Sequence, residues 1–255
     1  MSDSVRTILG TNGPLAAMLG ERYEARPEQT DMATAVAEAM ELGGRLLAEA
    51  GTGVGKSFAY LVPAIERCVY HGETVVIATN TIALQEQLVR KDIPLLQRAL
   101  GLDEIDAENP TAPFDPDAPL RPALVKGRGN YLSIRRLELA SKRQDKLFAD
   151  PAMRSTLHAI EDWAQNTTDG STTTLPQLER PGIWDRVQSD SGNCMGRKCR
   201  NFDICFYQRS RRKMERANLL ICNHAVFFSD LALRSRGFGY LPRYDHVILD
   251  EAQNT

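Results

Sequence analysis

One stretch limits what this chain can fold into more than any other: Leu46-Leu47-Ala48-Glu49-Ala50-Gly51-Thr52-Gly53-Val54-Gly55-Lys56-Ser57. A short apolar run, read as a strand, enters a glycine-rich turn, and Phe58-Ala59-Tyr60-Leu61-Val62 continues with a helical pattern. Strand, loop and helix in that order build a phosphate cradle. Gly51, Gly53 and Gly55 free the backbone to turn successive N–H groups inward, and the following helix adds its positive end. The pattern puts Ala50, Gly51, Thr52, Gly53, Val54, Gly55, Lys56 and Ser57 around the phosphates of ATP. Lys56 is expected on the β- and γ-phosphates and the Ser57 hydroxyl on Mg²⁺. Ala50 stands where the fingerprint usually has its first glycine.

A matching half lies near the other end. His246-Val247-Ile248-Leu249 reads as an apolar strand that ends in Asp250 and Glu251. At the carboxyl end of a parallel strand both acids reach the crevice where α/β sheets bind ligands. Asp250 is the expected Mg²⁺ partner, through water, and Glu251 the residue that orients and deprotonates the attacking water.

Between these halves the pattern is that of a parallel α/β protein. Residues 1–25 form a weakly patterned lead-in. A helix is expected from Pro27, with Met32, Ala35, Val36, Ala39 and Met40 on its apolar face and Gly43-Gly44 stopping it. Gln29, in its first turn, is placed to read the adenine edge or simply to face solvent. Thr74–Thr79 reads as a strand buried on both faces, and Ala217–Cys222 as another. Thr79, Asn80, Thr81 and Gln85 are placed to hold a nucleic-acid backbone or to cap a helix. Residues 101–120 carry six acids, four prolines and no Lys or Arg, the composition of a solvated loop.

The charge then inverts. Lys126 to Lys146 holds seven Lys and Arg, and Cys194 to Arg216 holds eight. Tyr131, Phe202, Phe206 and Tyr207 lie among them, so phosphate contacts and base stacking on single-stranded DNA are expected. Residues 147–193 read as one or two helices around Leu157, Ile160 and Trp163. Cys194, Cys199 and Cys205 fall at gaps of four and five in a basic loop. Those gaps suit a cluster site that draws a fourth ligand from a distance better than a zinc site built from two separated pairs. Cys68 and Cys222 read as core residues, and His224 as a capping or packing residue of its loop, or else a ligand or a nucleic-acid contact.

With 255 residues, 42% of them hydrophobic, and a net charge of −2, the chain has no global attraction for nucleic acid, so any such surface is local. Five cysteines without a small disulfide scaffold fit a reducing compartment. No apolar run approaches a membrane span and Met1-Ser2-Asp3-Ser4-Val5 has no signal-peptide character. A cytoplasmic protein without membrane contact or obligate protein partner is expected.

These motifs together resemble one family. Ala50 to Ser57, Asn80-Thr81-x3-Gln85-x-Gln87-Leu88, Lys126-Gly127-Arg128-x2-Tyr131, the three cysteines, Cys222-Asn223-His224-Ala225 and Asp250-Glu251-Ala252 are similar in order and spacing to the DinG branch of the XPD-like superfamily 2 DNA helicases, N-terminal part only. The resemblance covers residues 22–255. It implies a RecA-like P-loop motor domain with a parallel sheet and an inserted, mainly helical iron–sulfur domain. Residues 26–122 and 217–255 would make the first motor domain and 123–216 the inserted, DNA-binding cluster domain, with the second motor domain absent. The implied activity is ATP-driven 5′→3′ movement on single-stranded DNA in repair or replication, which this portion alone would not perform. A truncated single-strand-binding module without ATP turnover is the alternative. Two positions depart from the family. Ser133 stands where the first cluster cysteine is usual, which leaves open a serine-ligated, three-iron, differently ligated or absent cluster in place of 4Fe-4S. Gln253 replaces the usual histidine after Asp-Glu-Ala.

Overall fold

The β-branched runs assemble into one four-stranded sheet. The computed structural model describes residues 2–51, 53–102, 117–148 and 150–254. Strands β1 (Val75–Thr79), β2 (Pro122–Val125), β3 (Leu219–Asn223) and β4 (His246–Leu249) are all parallel, in the order β2-β3-β1-β4. Val76 sits opposite Leu220 on one side and Val247 on the other, and Ala78 opposite Cys222 and Leu249. The first three residues of β1, Val75, Val76 and Ile77, are wholly buried, each contributing about 1.5–3 kcal/mol by leaving water. The described residues divide into two compact units, Met1–Val125 with Met214–Thr255, and Lys126–Lys213.

In the first unit, helices α1 (Ser2–Ile8), α2 (Pro14–Leu19), α3 (Pro27–Leu42), α4 (Lys56–Tyr70), α5 (Ile82–Gln87) and α6 (Ile93–Ala99) precede β2. Pro27 opens α3, and Gly43, at φ 68°, closes it in the left-handed conformation that glycine accepts without strain. Val75, Ile77, Leu219 and Ile221 on one sheet face share a core with Ala33, Ala37, Leu61 and Ile65. Val76, Ala78, Leu220 and Cys222 on the other face pack with Met214, Phe227 and Leu241. The turn that delivers β4 is pinned by Asp230. This fully buried carboxylate accepts from Arg234 Nε at 2.6 Å and from the backbone N–H groups of Tyr240 and Leu241 at 2.6 and 2.8 Å.

Three expectations change here. The weakly patterned lead-in of residues 1–25 is helical: α1 buries Val5 and Ile8, and α2 buries Leu15, in the main core. Helices this short have little intrinsic stability, so burial rather than pattern decides them. The short apolar run from Leu46, read as a strand, forms no strand, and Leu47 is 94% exposed. Two leucines between Arg45 and Glu49 offer little apolar surface, and none of the four strands pairs with them. The four-residue strand β2 was missed beside the acidic loop, whose residues 103–116 lie outside the described ones.

The second unit is mainly helical, with α7 (Ile134–Lys142), α8 (Gln144–Leu147), α9 (Pro151–Asn166) and α10 (Trp184–Val187), followed by α11 (Phe206–Arg216). Leu132, Leu157, Ile160 and Val187 are its innermost residues, and Trp163 meets Trp184 edge to face at 6.1 Å. After α11 the chain continues through β3, α12 (His224–Arg234) and β4. Among the described residues no helix is long and apolar enough to cross a membrane.

Candidate functional site

The phosphate loop is set by two glycines and two braces. Gly53 and Gly55 have φ of +86° and +84°, the left-handed region that a Cβ disfavours. Gly51 is not in that region and has open space around it, so the special conformation falls on Gly53 and Gly55 alone. Gln29, buried at 5% exposure, donates from its amide to the Gly55 carbonyl at 2.9 Å. A Cβ at Gly55 would collide with that amide. Arg26 donates to the Gly53 carbonyl. Val54 is half-buried, and Thr52 lies outside the described residues.

Helix α4 begins at Lys56, so the loop runs directly onto its N-terminus. There the unpaired N–H groups and the helix dipole favour an anion. Lys56 Nζ donates to the Ala50 carbonyl at 3.3 Å, spanning the loop it would share with phosphates. Ser57 is half-buried one position on.

Asp250 comes to this helix from the far end of the chain. Its Oδ2 accepts from the Tyr60 hydroxyl at 2.9 Å. Burial, and then the Asp250 carboxylate, push the Tyr60 phenol far up, so it stays a donor. Asp250 Oδ1 accepts from the Glu251 N–H at 2.9 Å. The Asp250 N–H bonds to the Ala78 carbonyl at 2.9 Å, and its own carbonyl lies 2.9 Å from His224 Nε2. Glu251, at φ 56°, is the one non-glycine in the left-handed region among the described residues, a conformation that costs about 1–3 kcal/mol and collects at functional sites. The Asp-Glu pair therefore sits on a strained turn directly after β4.

Asp250 thus meets the phosphate-loop helix through Tyr60, while Gln29 reaches the loop as a brace. Arg26 and Tyr60 were missed as site residues, and His224 packs against the Asp250 turn rather than serving as a ligand. Tyr60 left a signal: it falls four residues after Lys56, on the same helical face. His224 left little beyond its place after a strand.

Thr81 caps α5, its Oγ1 accepting from the Leu84 N–H at 3.2 Å, and Thr79 and Gln85 are buried. The capping reading holds for Thr81.

In the second unit, Cys194, Cys199, Cys205 and Ser133 line one cavity together with Arg135, Arg136 and Tyr207. The Ser133 oxygen caps α7, accepting from the Arg136 N–H at 3.4 Å, and Cys194 Sγ accepts from the Gly196 N–H at 3.4 Å. Among the described residues no three His, Cys, Asp or Glu side chains gather into a metal-holding group. Three thiols around a cavity, with a hydroxyl already used as a cap, do not fit a four-thiolate cluster as arranged.

The stacking expectation is also corrected. Tyr131, Phe206 and Tyr207 are buried in the core of this unit, and Phe202 is half-buried with the Arg212 guanidinium 5.9 Å from its ring centre. The apolar surface of Tyr131, Phe206 and Tyr207 drove them inward, so these three rings present no open faces to bases. Several of the basic residues are likewise engaged. Lys126 donates to Ser171 and Thr173, Arg136 to the carbonyls of Asp185 and Gln188, and Arg128 stacks over Tyr207 at 4.1 Å. Lys142, Arg143 and Lys146 remain exposed around a shallow pocket with Asp145 and Leu147.

A phosphate loop on a helix N-terminus, with an Asp-Glu pair at the tip of a parallel strand, is an arrangement that can hold a nucleotide's phosphates and their Mg²⁺. Residues 29–106 match the model of the DEAD/DEAH box helicase family. The chain is also similar to particular helicases. It is 32% identical to the ATP-dependent DNA helicase YoaA of Haemophilus influenzae over 98% of this chain and 36% of that protein. It is 34% identical to the Escherichia coli YoaA over 90% of this chain and 33% of that protein. It is also 34% identical to the ATP-dependent helicase DinG of Mycobacterium tuberculosis, over 93% of this chain and 35% of that protein. The resemblance drawn from the motifs is borne out. The chain spans about a third of the length of these relatives.

Proposed function

We propose that this chain is the ATP-binding portion of a DNA helicase motor that moves 5′→3′ on single-stranded DNA in the cytoplasm and serves repair or replication. The observation that carries this reading is the link from the phosphate-loop helix to the acid pair, made by Tyr60 to Asp250 across 190 positions of sequence. Backbone N–H groups from Ala50 to Ser57, Thr52 included, would cradle the phosphates, and Lys56 would hold the β- and γ-phosphates. Ser57 and Asp250 would hold Mg²⁺, which supplies charge neutralisation between the phosphates. Glu251 would orient and deprotonate the attacking water. Gln29 would brace the loop through its amide nitrogen and offer its oxygen to the adenine amino group.

Turnover in such motors also needs an arginine on the transferred phosphoryl group, so the chain by itself is expected to bind nucleotide without unwinding DNA. The unit Lys126–Lys213 is read as the counterpart of the inserted cluster-type domain. The shared cavity of Cys194, Cys199, Cys205 and Ser133 supports that reading, and no cluster chemistry is assigned to it. Its DNA contact is read as phosphate contact through Lys142, Arg143 and Lys146, without base stacking.

The test is binding of a fluorescent ATP analogue to the chain with Mg²⁺, beside single-strand-stimulated ATP hydrolysis by the full-length protein. Lys56→Ala is expected to abolish both. Retention of both in that variant would overturn the site.

A further inference from the structure

We propose that Tyr60 is the positioning residue for Asp250, fixing the Mg²⁺-holding carboxylate against the phosphate-loop helix; this rests on the nucleotide site proposed above. Tyr60 lies one helical turn beyond Lys56 on α4, so the same rigid element that presents the lysine presents the phenol. It is 2% exposed, and its hydroxyl donates to Asp250 Oδ2 at 2.9 Å. One buried hydroxyl on the phosphate-loop helix therefore holds the carboxylate assigned to the metal.

The backbone of Asp250 is fixed independently, by its N–H on Ala78 and its carbonyl on His224. What those bonds leave free is rotation of the carboxylate. The Glu251 N–H takes Oδ1 and Tyr60 takes Oδ2, one hydrogen bond on each oxygen. A carboxylate has about four lone-pair directions, so the remaining ones stay available to the metal or to its waters. A phenylalanine at position 60 would fill the same space in the core, so the added hydroxyl acts on Asp250. Partners of this kind orient ligands for metals, and losing one typically costs about 10–100-fold in metal affinity.

The experiment titrates Mg²⁺ into the 255-residue chain with a fluorescent ATP analogue, and repeats the nucleotide titration in chelator. It compares wild type, Lys56→Ala, Tyr60→Phe, Asp250→Asn and the double variant. Tyr60→Phe is expected to raise the Mg²⁺ midpoint about tenfold, to leave metal-free nucleotide affinity within about twofold, and to add nothing once Asp250 is Asn. An unchanged midpoint overturns the proposal. Equal losses with and without metal also overturn it, since they mark a packing role only. Should Tyr60→Phe fold poorly, wild type labelled at tyrosine gives a second readout. Its Tyr60 ring signal is expected to shift on adding Mg²⁺ at saturating nucleotide and to stay still in Asp250→Asn; no shift in wild type overturns the proposal. Failure of the site itself looks different: wild type and Lys56→Ala then bind nucleotide alike or not at all, and the proposal falls with the site.

Discussion

The His224 imidazole and the Asp250 backbone are joined by a hydrogen bond, with Nε2 lying 2.9 Å from the Asp250 carbonyl oxygen. The ring is largely buried, packs edge to face against Phe228 at 6.3 Å, and leaves Nδ1 without a partner. The first residue of α12 is thus tied to the turn that carries the acid pair. His224→Ala is expected to cost about 1–3 kcal/mol of stability, the loss of a buried bond that leaves a carbonyl unmet. It should also weaken Mg²⁺-dependent nucleotide binding several-fold, and His224→Gln should recover part of both. Denaturant unfolding and the Mg²⁺ titration check this; unchanged values for the alanine variant would count against the contact.

Gly55 carries both strain and contact. At φ +84° with the Gln29 amide against it, Gly55→Ala is expected to cost about 1–3 kcal/mol and to lower nucleotide affinity by about tenfold or more, where tenfold is about 1.4 kcal/mol. Adding Gln29→Ala should relieve the collision but not the backbone strain, so recovery should be partial. Full recovery would mean that the conformation itself costs little.

Asp169 supplies a pH dependence in the second unit. Burial alone would raise its carboxyl, but hydrogen bonds from the Ser171 hydroxyl at 2.6 Å and N–H at 3.1 Å, with Lys126 nearby, hold it below the usual range. A group depressed in the folded state binds a proton more readily when unfolded, so stability rises with pH. Its contribution is complete above the unfolded value of about 3.9 and is lost as pH falls through the lower folded value. Asp169→Asn is expected to destabilise by about 1–3 kcal/mol at neutral pH and to flatten the acid limb of the melting curve. A wild-type slope in the variant would exclude Asp169 as its source.

The five cysteines divide by burial. Burial pushes the Cys68 and Cys222 thiols up to about 12, and the thiolate is the reactive form. Native alkylation read by mass spectrometry is expected to modify Cys194, Cys199 and Cys205, with Cys68 and Cys222 reacting only after denaturation. Rapid native labelling of Cys222 would contradict its place within β3.

Ser133→Cys tests the cysteine cavity. It should cost about 0.5–2 kcal/mol as the α7 cap is lost, while adding a fourth thiol to the three already lining that space. Iron and acid-labile sulfide retained per chain are expected to rise above wild type. Equal contents would mean that the missing thiol is not what limits the site.

Local chemistry was legible in the residues themselves. The glycine spacing before Lys56, the proline that opens α3, the glycine that closes it and the acids after β4 each act within one turn or one strand, so order alone determines them. The parallel α/β class followed from the same short-range periodicity. Tertiary structure decided what depends on residues distant in sequence. Leu46 and Leu47 had the look of a strand but no strand beside them. Tyr131, Phe206 and Tyr207, set among positive charges, satisfied a core rather than a ligand because their apolar surface is larger than the pull of neighbouring cations. Tyr60 and His224 became site residues only when folding brought Asp250 to them. A side chain's role at a site is set by what it touches, and contacts across 190 positions are made by packing, which the order of residues does not display.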